Sequence, residues 1–313
     1  MTAAEPSSRS LPFLTAEQVR GQIDADRARE LIEQALQQGF DPADDPERSH
    51  VPAGRGHLLL MPSALGGSVG VKVASVAPEN PSQGLPRIQA LYLLMDAATL
   101  SPRMLVEGSV LTALRTPATT AVACDRLAAP EASRLVVFGS GPQAVEHVEA
   151  ISRIRELEDI RLIGRTPERA RPAVEELRGR GFDVSPGEAG VVGEADIIVC
   201  ATSSADPLFD HALIRDGACV AAMGSHQPTH RELPAALLGR SLVVVEDQQT
   251  ALREAGDVVL AIEEGALSAS ELRPLAGLVR GDVLRAEDRP NVFKGTGMSW
   301  QDLAVAGGLR LPG

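Results

Sequence analysis

The chain has 313 residues, 44% hydrophobic and 23% charged, with a formal net charge of -12 and a mean hydropathy of -0.00. At roughly 150 residues per domain, this length predicts two domains and a sizeable core. The acidic balance disfavours nucleic acid, whose phosphates need a basic face, and no apolar run reaches the ~18 residues of a membrane helix. The opening MTAAEPSSRSLPFL has neither a basic start nor an apolar stretch, so no signal peptide is expected. Cys124, Cys200 and Cys219 form no CxxC pair, which fits a reducing cytoplasm. Of the 30 basic residues only two, Lys72 and Lys294, are lysine.

Residues 16 to 38 predict one amphipathic helix, with Leu31, Ala35 and Leu36 on one face. A polar loop with three prolines follows, from Asp41 to Gly56. His57 to Met61 and Ser68 to Val76 read as paired strands interrupted by Gly66-Gly67, and Arg87 to Met95 as a third. Residues 109 to 128 predict a helix that contains Pro117. From Ser133 the texture changes to β-branched runs alternating with helical patterns. RLVVFGSG precedes PQAVEHVEAISRI, IRLIGRT precedes PERARPAVEELRGRG, and ADIIVCAT, ACVAAMG and SLVVVED follow. Such alternation predicts a parallel sheet covered on both faces. The last segment, Asn291 to Gly313, ends in the helix-like GMSWQDLAVAGG.

Gly139-Ser140-Gly141-Pro142-Gln143-Ala144 fits G-x-G-x-x-A between a strand and a helix. The first glycine permits the tight turn and the second lets the backbone approach a pyrophosphate. Ala144 stands where helix meets strand, and the helix N-terminus supplies partial positive charge. About 25 residues on, the second strand ends in Gly164-Arg165-Thr166 rather than in Asp or Glu. With Arg169 close by, this pattern points to the 2′-phosphate of NADP(H) in preference to NAD(H). Thr202, which closes ADIIVCAT, and Ser203 stand at a strand end where such a fold meets its nucleotide. The six histidines (His50, His57, His147, His211, His226, His230) show no metal-ligand spacing, so no metal is expected. Lys72 lies within the apolar run VGVKVAS, where an unpaired buried lysine is costly, and so asks for a partner or a role.

Six segments carry a resemblance: LLLMPSALGGSVGVKVAS, ENPSQGLPRIQALYLL, LTALRTPATTAVA, VVFGSGPQA, GSHQPTHREL and VFKGTGMSWQDLA. Through them the chain resembles the ornithine cyclodeaminase / mu-crystallin family nearly end to end. The resemblance implies an α/β fold, with a Rossmann dinucleotide-binding domain (116–293) inserted into a discontinuous α+β substrate-binding and dimerisation domain (1–115 plus 294–313). It implies a homodimer acting on small imino, amino or keto acids, with the substrate carboxylate held by Arg48, Lys72 and Arg115. A guanidinium fork beside an ammonium suits that carboxylate chemically. Cofactor contacts are implied at Thr116, at Gly224, and at Lys294 and Gly295 on the return segment.

Two departures shape the expected chemistry. A catalytic Asp of the cyclodeaminases falls here on His226, and a Glu just before Leu-Met-Pro falls on Leu59. The mu-crystallin branch lacks that Asp too and is associated with ketimine reduction. The resulting expectation is an NADPH-dependent reductase or dehydrogenase of a small imino or 2-oxo acid, with Lys72 or His226 moving the proton. An ammonia-releasing ornithine or lysine cyclodeaminase and a non-catalytic NADPH- or ligand-binding protein stand beside it.

Overall fold

The computed structural model describes residues 10–311. The first nine residues of the expected substrate domain, which are also part of the opening segment read above for a signal peptide, and the final two, 312–313, lie outside the described residues.

Two sheets organise the chain. The first contains β1 (Phe13–Leu14), β2 (Ser49–Ala53), β3 (Gly56–Leu65), β4 (Ser68–Val76), β5 (Ile88–Asp96) and β6 (Pro102–Glu107), in the order β1-β6-β5-β4-β3-β2. The second contains β7 (Arg134–Phe138), β8 (Asp159–Ile163), β9 (Val184–Pro186), β10 (Ile197–Cys200), β11 (Cys219–Ala222), β12 (Leu242–Val245), β13 (Arg273–Pro274) and β14 (Asn291–Lys294). Its order is β13-β12-β14-β11-β10-β7-β8-β9, with parallel pairing throughout. Strand order reverses between β7 and β10, which is where an open parallel sheet leaves a crevice for a ligand. The return segment supplies β14, inserted between β11 and β12 rather than at an edge.

Ten helices surround the sheets among the described residues: α1 (Ala16–Arg20), α2 (Ala25–Gln37), α3 (Gly108–Leu127), α4 (Pro142–Ser152), α5 (Pro167–Gly179), α6 (Ala235–Gly239), α7 (Gln248–Glu254), α8 (Gly256–Glu263), α9 (Leu275–Arg280) and α10 (Ser299–Gly307). The helix expected over 16–38 is divided. Asp24 takes extended backbone and its carboxylate accepts from Arg27 N at 2.7 Å, starting a new helix instead of continuing the old one. The loop expected over 41–56 contains β2, an edge strand exposed along its length that tolerates Pro52 for that reason. β6 escapes the sequence pattern as well, because only Met104 and Val106 of its six residues are buried. Helix α3 runs unbroken through Pro117 and across residues 115 and 116, packing on α2, α4, β5 and β14.

One apolar core passes from the inner face of the first sheet through α2, α3 and α10 into one face of the parallel sheet. A second lies on the other face, beneath α6, α7 and α8. Helix α10 packs on β3, β4, α2 and α3, so the chain's last helix closes the first sheet rather than extending the second.

Candidate active site

Strand alternation builds the first wall of the site. Across the ladder Lys72 opposes Met61 and Tyr92, Ala74 opposes Leu59, and Val76 opposes His57 and Ile88. Period two therefore turns Leu59, Met61, Lys72 and Ala74 to the same face. With Arg48, Arg115 and Thr116 they line a cavity of about 260 Å³, whose opposite wall is formed by Gln143, Thr202, Gly224 and Gly295. An outer chamber of about 670 Å³ shares His50, His57 and His226 and adds Ser203 and Arg87.

The three expected cations meet here, but each already has a partner. Lys72, 3% exposed, donates to Asp302 Oδ2 at 2.6 Å and to Thr112 Oγ1 at 3.1 Å. Burial lowers its ammonium to about 8, helped by the Arg115 and Arg48 charges and opposed by Asp302. Arg115 donates from Nη1 to Gln301 Oε1 at 2.7 Å, and its Nε lies 3.7 Å from Asp302 Oδ1. Arg48 pairs through Nη2 with Glu254 and donates from Nη1 to the Gly297 carbonyl at 3.1 Å, while its buried Nε has no partner. The three cations thus form an assembled network in which Asp302 and Glu254 hold them in place.

Sequence reasoning missed these carboxylates. Asp302 sits in the first turn of α10, where an acidic residue is ordinary. Glu246 was equally silent, following the apolar VVV of β12. Its carboxylate accepts from Thr296 N, Thr296 Oγ1, Gly297 N and Gln301 Nε2, at 2.9, 3.2, 2.8 and 2.7 Å, folding the return loop around itself. Gly297 has φ +78°, and a Cβ there would fall 2.2 Å from Arg115 Nη1. Its lack of a side chain is what admits the guanidinium.

The second wall suits a dinucleotide. Gly139 has φ +126° and would drive a Cβ to 2.5 Å from the Ala201 carbonyl, so the turn requires glycine. A Cβ on Gly141 would meet nothing within 4 Å, leaving its backbone open. Pro142 opens α4, no side chain caps its first turn, and Ala144 is buried against the sheet. The free N–H groups of such a helix start favour an anion. Gln143 lines the inner cavity and its buried Oε1 has no partner. Arg165, Thr166 and Arg169 stand exposed at the start of α5, another helix whose first turn lacks a side-chain cap, and they line neither cavity.

Two expectations change. Lys294, expected at the cofactor, is 1% exposed and faces neither cavity; its Nζ lies 3.1 Å from Asp257 Oδ2. It ends β14 pointing into the packed interior, where a buried carboxylate claims it. His226 stands at the cavity mouth with its Nδ1 3.2 Å from the Gly224 carbonyl. That carbonyl needs a donor, so the proton sits on Nδ1 and Nε2 presents a lone pair. The ring keeps solvent contact, yet the desolvating walls and then the Arg48 charge lower its pKa to about 4. A neutral ring of this tautomer accepts a proton at Nε2; it is not a charged acid at neutral pH.

Comparison with known proteins places the fold in a family. Residues 10–310 match the ornithine cyclodeaminase/mu-crystallin family. The chain is 36% identical over 257 residues to the Delta(1)-pyrroline-2-carboxylate reductase of Bacillus thuringiensis subsp. konkukian (strain 97-27), covering 79% of each. It is 29% identical over 310 residues to the ketimine reductase mu-crystallin of Mus musculus, covering 95% of this chain and 96% of that protein. Its fold is similar to that of Thermococcus litoralis Delta(1)-pyrroline-2-carboxylate reductase in complex with NADH and L-proline, with a TM-score of 0.89, 27% identity, and 95% and 96% of the two chains covered. Fold, fingerprint and relatives together define an NAD(P)-dependent oxidoreductase acting on carbon–nitrogen bonds. The chain belongs to the ornithine cyclodeaminase/mu-crystallin family.

Proposed function

We propose that the chain reduces a small 2-imino acid, cyclic or open, with 2-oxo acids as the neighbouring substrate class, and that it takes NADPH in preference to NADH. The observation that carries this reading is Lys72: a buried ammonium lowered to about 8, facing the cavity between two arginines. Its proton is available near neutral pH, and the arginines answer a carboxylate. The bound nicotinamide supplies hydride. Arg115 and the free Nε edge of Arg48 hold the carboxylate. Lys72, held by Asp302 and Thr112, gives a proton to the substrate nitrogen as the carbon gains hydride, so that C=N becomes CH–NH. His226 serves at the mouth as an acceptor.

The apolar wall of Leu59, Met61 and Ala74 favours reduction over cyclodeamination. Glu246, the acidic residue lining the inner cavity, is occupied by four hydrogen bonds, which leaves no free carboxylate there for a second amine. Oxidation of NADPH by cyclic imino acids, without ammonia release from ornithine or lysine, is the expected result. Ammonia formed without added reductant would overturn the reading in favour of the lyase, and NADPH binding with no turnover would favour a binding protein. For the cofactor, Arg165→Ala should weaken NADPH by about 10-fold or more while NADH changes little, because only NADPH carries the 2′-phosphate; equal losses would remove the preference. Val51, Val73 and Leu91 stand exposed on the outer face of the first sheet, which supports a homodimer through that face. Cysteine usage supports the cytoplasm as its place.

A further inference from the structure

Glu232 is fully buried, faces neither cavity, and carries three charge-assisted hydrogen bonds. Its Oε1 accepts from Thr202 N and Thr202 Oγ1, and its Oε2 from Gly224 N, each at 2.7 Å. Thr202 follows β10 and Gly224 follows β11, two adjacent parallel strands, and both residues line the inner cavity. One carboxylate thus ties together the two loops that form the floor of the second mononucleotide half of the sheet.

The carboxylate is itself held from behind. Asp257 Oδ1, on α8, accepts from Glu232 N at 2.7 Å and Leu233 N at 2.8 Å, and its Oδ2 lies 3.1 Å from Lys294 Nζ at the end of β14. The Lys294 charge opposes the cost of burying two neighbouring carboxylates. Gly224 completes the fit: a Cβ there would lie 1.8 Å from the Thr202 carbonyl and 2.7 Å from Glu232 Oε1. The loops approach this closely only because that position is glycine.

We propose that Glu232, backed by Asp257 and Lys294, is a positioning residue for the nicotinamide half of the dinucleotide, fixing Thr202 and Gly224 without touching the ligand. This rests on the reading of the chain as a nicotinamide-dinucleotide enzyme. The fingerprint at Gly139–Ala144 belongs to the other half and shares no hydrogen bond with Glu232, Asp257 or Lys294, so the two halves are separable by experiment.

Binding of NADPH and of 2′-phospho-ADP-ribose, which lacks nicotinamide, is measured by calorimetry on the full-length wild type and on Glu232→Gln. The Gln amide faces one N–H donor with another, so NADPH should weaken by about 10-fold or more, while 2′-phospho-ADP-ribose stays within about 2-fold. Thr202→Val, which removes the hydroxyl that donates to Glu232 and accepts from Ser204 N, should show the same split more weakly, by about 3-fold, and carries the test if Glu232→Gln does not fold. Equal weakening of both ligands, or no change in either, overturns the proposal. Wild-type protein that binds neither ligand overturns the dinucleotide reading and this inference with it; normal wild-type binding with unmoved variants overturns this inference alone.

Discussion

Both of the chain's lysines are buried against a fully buried aspartate, Lys72 at 2.6 Å from Asp302 and Lys294 at 3.1 Å from Asp257. Their surroundings differ in sign and in access. Around Lys72 the further charges are Arg48 and Arg115, and the group opens onto a cavity. Around Lys294 the further charge is Glu232, and the group is sealed. An excess of positive charge beside a cavity recruits an anion and makes the ammonium a weaker base. An excess of negative charge in a closed interior makes the ammonium a counterion. Residue type and burial are alike in the two regions; the balance of neighbours separates the proposed substrate group from a structural one.

That contrast can be broken at either end. The largest expected effect is on stability: Lys294→Met leaves Asp257 and Glu232 without their cation and should cost about 3–5 kcal/mol in denaturant unfolding. A loss below about 1 kcal/mol would mean that the buried network does not depend on its lysine. Next comes Lys72→Ala, for which kcat/KM with an imino acid should fall at least about 30-fold, near 2 kcal/mol of transition-state stabilisation. Its stability loss should be the smaller of the two, because Asp302 keeps Arg115 beside it and the cavity admits water. Kinetics unchanged from wild type would take Lys72 out of the site.

The pH profile sharpens the comparison with the smallest effect. A donor must be protonated, so imine reduction should be full below the Lys72 pKa and fall as pH rises through about 8. Above that point the fall approaches tenfold per unit, and oxidation of the amine product should rise through the same region. Initial rates from pH 6.5 to 9.5 under saturating cofactor measure this. A reduction rate flat across that range would show that another group supplies the proton.

Much of the nucleotide half was readable in advance because its signals are local. A strand, a glycine turn and a helix start lie within about a dozen consecutive residues, and each position follows from backbone geometry at that position. Gly139 and the uncapped start of α4 stand where the pattern puts them. Local competition explains two of the errors: Asp24 restarts a helix that periodicity runs straight through, and Pro52 and the exposed face of β2 disguise a strand as a loop.

What the chain's own order could not display is long-range pairing. Lys72 and Asp302 are separated by 230 positions, and Arg48 and Glu254 by 206. The composition singled out two lysines, and the apolar run around Lys72 was reason enough to expect a partner or a role for it. Which carboxylate it meets, and whether a lysine faces ligand or interior, depended on where β14 entered the parallel sheet and where α10 closed the first one. A charge's environment is the sum over neighbours brought from every part of the fold, and no stretch of sequence contains that sum.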